Sequence, residues 1–279
     1  MKYGFVLPFG DARTAADLAY AAEQAGWDGF FVWEPVWGSD AWVSLAAAAM
    51  RTERIRLGTM LTPLSRMRPW KLASETVTLD HLSNGRVILA VGLGAVDTGF
   101  KAFDEVTDRK TRAELLDEGL ELLTALWRGK PFNYAGKHYN VNIKKSTFAT
   151  PFPPPPVQRP RIPIWVVGAW PRLKSMRRAL RYDGLLPNVI GDDGKVRMTP
   201  PTPDEIRAMQ GFISANRAET TPFDIVVEGE TPGEDLEQTA SIVRPFAQAG
   251  ATWWIEALWS TRQADKIIAR IQQGPPHLD

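Results

Sequence analysis

Residues 55–94 read IRLGTMLTPLSRMRPWKLASETVTLDHLSNGRVILAVGLG. Ile55–Leu61 is apolar and short enough for a buried strand. Pro63 and Pro69 then forbid a continued helix. Trp70–Leu82 spaces Leu72, Val77 and Leu79 among polar residues at helical intervals, and Asn84-Gly85 ends that helix with residues that tolerate a left-handed backbone. Val87–Leu93 is again an unbroken apolar run, with Gly92 and Gly94 at its end. Two strands joined by a helix must be parallel, and parallel strands buried on both faces read as continuous rather than alternating.

The same rhythm extends in both directions. Upstream, Tyr3–Leu7 predicts a first strand stopped by Pro8, Thr14–Ala25 a helix, Gly29–Trp33 a second strand, and Ala41–Arg51 an alanine-rich helix capped by Asp40. Downstream, Asp108–Arg128 is a long amphipathic helix. The interval 130–163 breaks the pattern: FNYAGKHYNV suggests a hairpin around Ala135-Gly136, and PFPPPPVQRPRIP an extended, semi-rigid connector. Strands then return at Ile162–Val167, Gly184–Leu186, Phe223–Val227 and Thr252–Leu258. Helices follow them at Arg172–Arg181, Pro203–Asn216, Glu234–Ala249 and Arg262–Gln272. Eight strand–helix units favour a closed (β/α)8 TIM barrel with an insertion between strands four and five, the whole of 1–279 forming one domain. An open doubly wound sheet would want Gly-x-Gly-x-x-Gly after its first strand, and Pro8-Phe9-Gly10 is not that turn.

The 279 residues are 44% hydrophobic, an ordinary size for one such barrel. Net charge is +1, which points to neither nucleic acid nor an anionic membrane surface as partner. With no cysteine, disulfides, thiolate metal sites and cysteine nucleophiles are excluded. The three histidines, His81, His138 and His277, lack the spacing of a metal motif. No apolar run suits a signal peptide or a membrane span, so a cytoplasmic protein is expected.

In a parallel barrel, function sits at the C-terminal strand ends. Here those are Pro8, Glu34, Met60 to Thr62, Leu93 and Gly94, Gly168 to Trp170, Asn188, Glu228 and Trp259. The LDHLSNGR motif falls at the opposite end, where Asp80, His81 and Arg86 are expected to be structural. The rim holds two carboxylates and neither histidine nor lysine. Glu34 and Glu228 lie on non-neighbouring strands, which argues against a retaining glycosidase, and no metal-hydrolase ligand set is present. Instead the rim offers apolar groups together with Trp33, Trp37, Trp170 and Trp259, a setting for a flat cofactor that carries the chemistry itself.

The stretch 54–94 resembles the core signature of the bacterial-luciferase-like flavin and deazaflavin oxidoreductases. The resemblance implies a (β/α)8 barrel, FMN or coenzyme F420 as cofactor, and hydride transfer or oxygen insertion on a small organic substrate. It also implies a homodimer and, for oxygen insertion, a separate flavin reductase as partner. Carried over position by position, it puts the ring on a bulge with a non-proline cis peptide at Met60-Leu61. It puts the phosphate by Leu93, Gly94, Ala95, Arg112 and the turn Gly168, Ala169, Trp170; no metal is implied. A luciferase histidine is replaced here by Pro35, leaving Glu34 as the expected proton-handling group. The rivals are a barrel that holds flavin without turnover and a barrel hydrolase or lyase.

Overall fold

The computed structural model describes residues 1–144 and 152–278. Eight strands alternate with eight α-helices among them. The strands are β1 (Lys2–Leu7), β2 (Gly29–Val32), β3 (Arg56–Thr59), β4 (Val87–Gly92), β5 (Ile164–Trp170), β6 (Gly184–Val189), β7 (Asp224–Gly229) and β8 (Trp253–Glu256). The helices are α1 (Ala12–Gln24), α2 (Ala41–Arg51), α3 (Pro69–Leu82), α4 (Arg109–Leu126), α5 (Leu173–Leu180), α6 (Pro203–Asn216), α7 (Leu236–Gln248) and α8 (Ala264–Gln272). Each strand pairs in parallel with the next, and β8 pairs with β1, so the sheet closes into the expected barrel.

Helix starts follow their caps. Asp11 accepts the Thr14 amide, which moves the start of α1 to Ala12, earlier than periodicity alone indicates. Asp40 caps α2 as expected, and Thr202 with Glu205 forms a reciprocal capping box on α6. The largest strand difference is at β5, which continues through Gly168 and Ala169 to Trp170 because β6 pairs with it to Val189.

Alternation along the strands splits the side chains. Val6, Phe31, Ile88, Ala90, Trp165, Leu186, Val226, Trp253 and Ile255 fill the lumen, and a larger apolar layer lies between strands and helices. Three rings occupy the inside: the Trp165 centroid is 5.2 Å from Trp253 and 5.5 Å from Phe31. Gly58 admits this packing, since a Cβ there would stand 2.2 Å from the Ile88 carbonyl oxygen.

The opposite end is tied by the recognisable motif. The Arg86 guanidinium donates to the carbonyls of Ala49, Thr52, Ile55 and Ser83 and to Thr52 Oγ1. Asp80 accepts the backbone and side-chain N–H of Gln158, while His81 Nε2 donates to the Pro155 carbonyl. These residues are structural, and they fasten the proline-rich connector beneath α3 and β4. The hairpin Phe132–Ala135 with Asn140–Ile143 is antiparallel. The beginning of the connector, 145–151, lies outside the described residues, as does Asp279.

Candidate active site at the strand ends

The chain leaves β3 at Thr59, passes through a cis Met60–Leu61 peptide, and pairs again at Thr62 and Pro63 with Val91 and Gly92 of β4. Met60 and Leu61 pack on the lumen cluster. Thr59 points the other way, with Leu57, and its hydroxyl bonds Thr62 Oγ1 at 2.8 Å. Thr62 Oγ1 in turn donates to Glu34 Oε2 at 2.5 Å. Glu34 is therefore buried behind the bulge, on its helix side, and not in the lumen. Burial pushes its carboxyl up to about 7, against the Thr62 hydrogen bond and the Arg66 charge, which lower it. Arg66 reaches over to the carbonyl of Pro35 at 3.0 Å and fixes the turn after β2.

The turn after β4 is held from below. Arg112, near the start of α4, is buried, and its Nη1 donates to the carbonyls of Leu93 and Gly94 at 2.9 Å each. Its Nε has no hydrogen-bond partner among the described residues. Burial lowers its pKa, opposed by the charge of Asp108, so an added anion would stabilise the guanidinium. Gly94 takes φ +73°, and a Cβ there would meet Phe100 and Pro63 at 2.8 Å. Ala95 is exposed next to it.

At the end of β5, the Ala169 amide already donates to Ser175 Oγ at 3.0 Å. Trp170 packs against the outer apolar layer, edge to face with Phe212 at 5.8 Å. Beyond Trp165, the lumen-facing members of this strand are Val167, by its cluster, and Ala169, two residues on. The candidate residues thus divide. Leu61, Val167 and Ala169 surround the mouth, with Leu93 and Gly94 above Arg112. Glu34 and Trp170 stand behind the wall.

The structure also brings forward residues the sequence reading named only as rim positions. On β7, Val226 faces the lumen, so Glu228 does too, with Trp259 Nε1 donating to its Oε2 at 3.0 Å. Trp33, Trp37 and Trp259 remain 38%, 81% and 40% exposed. A cleft of about 150 Å³ opens by Pro8, Phe9, Trp33, Pro35 and Trp37. A wider hollow of about 580 Å³ lies between α1 and α2 on the outer layer and collects no reactive group beyond Asp17 and two arginines. The Thr59–Thr62–Glu34 chain went unseen in the sequence. Its one available signal was the spacing of two threonines around Met60-Leu61.

Two curated relatives and one solved structure set this arrangement among known proteins. An F420-dependent glucose-6-phosphate dehydrogenase of Nocardia farcinica is 37% identical over 144 residues, covering 46% of this chain and 42% of the relative. A 4-hydroxyprotoasukamycin monooxygenase of Streptomyces nodosus subsp. asukaensis is 40% identical over 115 residues, covering 39% and 31%. The chain thus matches less than half the length of either. The F420-dependent tetrahydromethanopterin reductase from Methanopyrus kandleri superposes with a TM-score of 0.74 over 99% of this chain and 98% of that one at 17% identity, which establishes a shared fold. The family model for luciferase-like monooxygenases matches residues 1–267, and the chain belongs to that family.

Proposed function

We propose that this protein is a cytoplasmic oxidoreductase that holds F420 or FMN at the barrel mouth and acts on a small organic substrate. The reaction is hydride transfer or, with reduced flavin delivered by a separate reductase, oxygen insertion. One observation carries the reading: an apolar mouth at Leu61, Val167 and Ala169 is flanked by the buried Arg112, whose Nε has no hydrogen-bond partner among the described residues. A flat ring needs the first, and an anionic tail needs the second. When bound, such a cofactor supplies a two-electron carrier that no side chain provides.

In this reading Met60 and Leu61 support the ring. Leu93, Gly94, Ala95 and Arg112 receive the phosphate end. Gly168 and Ala169 shape the adjoining wall, which Trp170 braces from behind. Glu34 acts through Thr62 on the bulge as a positioning residue. The chain is read as a homodimer joined through α2, whose outer side leaves Val43 61% and Met50 70% exposed.

Titration of the purified chain with FMN and with F420, followed by absorbance and fluorescence, tests the reading. We expect saturable binding of one of the two. Arg112→Ala should weaken it by about 1–3 kcal/mol, roughly 5–150-fold in Kd. Binding of neither cofactor rejects the proposal, and an unchanged Kd in the variant removes Arg112 from the phosphate site.

A further inference from the structure

Glu228 is a carboxyl that the cofactor site, as read above, does not use. The strand Asp224–Gly229 alternates, and its inward residues are Asp224, Val226 and Glu228. Asp224 is committed deep in the barrel, where its oxygens accept the Trp165 indole N–H at 3.1 Å and the Thr252 hydroxyl at 2.9 Å. Glu228 stands at the mouth. Its Oε2 takes the Trp259 indole at 3.0 Å, and its Oε1 meets no donor among the described residues. No charge faces it among the described residues. Burial raises its pKa, and the Trp259 hydrogen bond opposes that rise. The neighbouring strands present Asn188 and the apolar Ile255 and Ala257. Asn188 is three residues past Leu185 on β6, as Glu228 is three past its register partner Ile225.

We infer that Glu228, oriented by Trp259, is the polar anchor of the substrate site, and that this site takes neutral molecules presenting a hydroxyl or carbonyl oxygen. A protonated carboxyl donates to a carbonyl and also accepts from a hydroxyl. An apolar pocket closed by one such group gives orientation through a single polar contact. Trp259 fixes one carboxyl oxygen and leaves the other for the ligand. A carboxylate-bearing ligand is disfavoured, because its charge would lose its hydration at a site where no cation among the described residues offsets the loss. The inference deepens the reading proposed above by naming the class of substrate that site takes.

The test uses the full chain with labelled tryptophan indoles, observed by NMR, with the Trp259 signal assigned through Trp259→Phe. Three results are expected. The Trp259 signal titrates with an apparent pKa above the ordinary carboxylate range, and Glu228→Gln abolishes that titration. Cyclohexanone shifts the signal saturably at about pH 6. Cyclohexanone binds at least tenfold more weakly to Glu228→Ala, read from the lumen indole signals of Trp165 and Trp253, while cyclohexanecarboxylate binds wild type at least tenfold more weakly than the ketone. A Trp259 signal that does not titrate, a ketone that produces no saturable shift, or equal ketone affinity in Glu228→Ala overturns the inference. Cofactor titration of the same variants separates the two readings. Failure of FMN and F420 to bind rejects the oxidoreductase, whereas the indole and ketone results decide Glu228 independently.

Discussion

Glu34 is a buried carboxyl and Glu228 a half-buried one, both at strand ends, yet they face opposite sides of the wall, and the difference is two-residue alternation. The sequence showed both as rim acids. It could not show which side each faces, because a cis peptide and a two-residue strand interrupt the register beside Glu34, while β7 runs straight to Glu228. The resemblance named Arg112, but its grip on the carbonyls of Leu93 and Gly94 could not be read there, since nothing in the spacing of α4 reports the path of the turn above it. The burial of Glu34 gives a prediction with a definite sign. Its carboxyl rises from the ordinary 4.5 to about 7, so the folded chain keeps a proton that the unfolded chain releases. That stability is full below the ordinary value and is lost as pH rises through about 7, an effect of roughly 3 kcal/mol at most. Denaturant melts from about pH 5 to about pH 8 should show wild type losing stability relative to Glu34→Gln by an amount of that order. Parallel curves for the two proteins would mean that Glu34 titrates as an exposed acid.

Elements were the most legible level. Long apolar runs flanked by proline or glycine placed all eight strands, and 3.6-residue spacing placed the helices between them. What periodicity missed were ends. Side-chain caps such as Asp11 set the start of α1, and pairing partners set the end of β5. Neither is a property of the segment itself. The contact of β3 with β4 shows how little room the barrel allows: the Gly58 backbone lies against the Ile88 carbonyl, and Phe31 fills the space on its other side. Gly58→Ala should destabilise the protein by about 1–3 kcal/mol through forced separation of these strands. Chemical denaturation would register this as a lower midpoint with an unchanged slope. A variant as stable as wild type would show that the two strands part freely.

The whole molecule has a worn side and a sealed end. The apolar stripe on α2 is the surface proposed to join two copies. Val43→Asp together with Met50→Asp should shift sedimentation from dimer to monomer with the barrel's circular dichroism retained, and a wild-type monomer would reject the interface. At the sealed end, Trp165, Trp253 and Phe31 stop the lumen from within, and Arg86 with Asp80 knots the turns below. A tube stopped at one end is a cul-de-sac, and whatever enters first leaves last. A ring resting on Leu61 would lie under any molecule anchored at the rim, so traffic through the single doorway acquires a sequence. Product-inhibition kinetics should then show the cofactor binding before the substrate and departing after the product. The order of events in each turnover would be written by three aromatic rings that close the far end of the barrel.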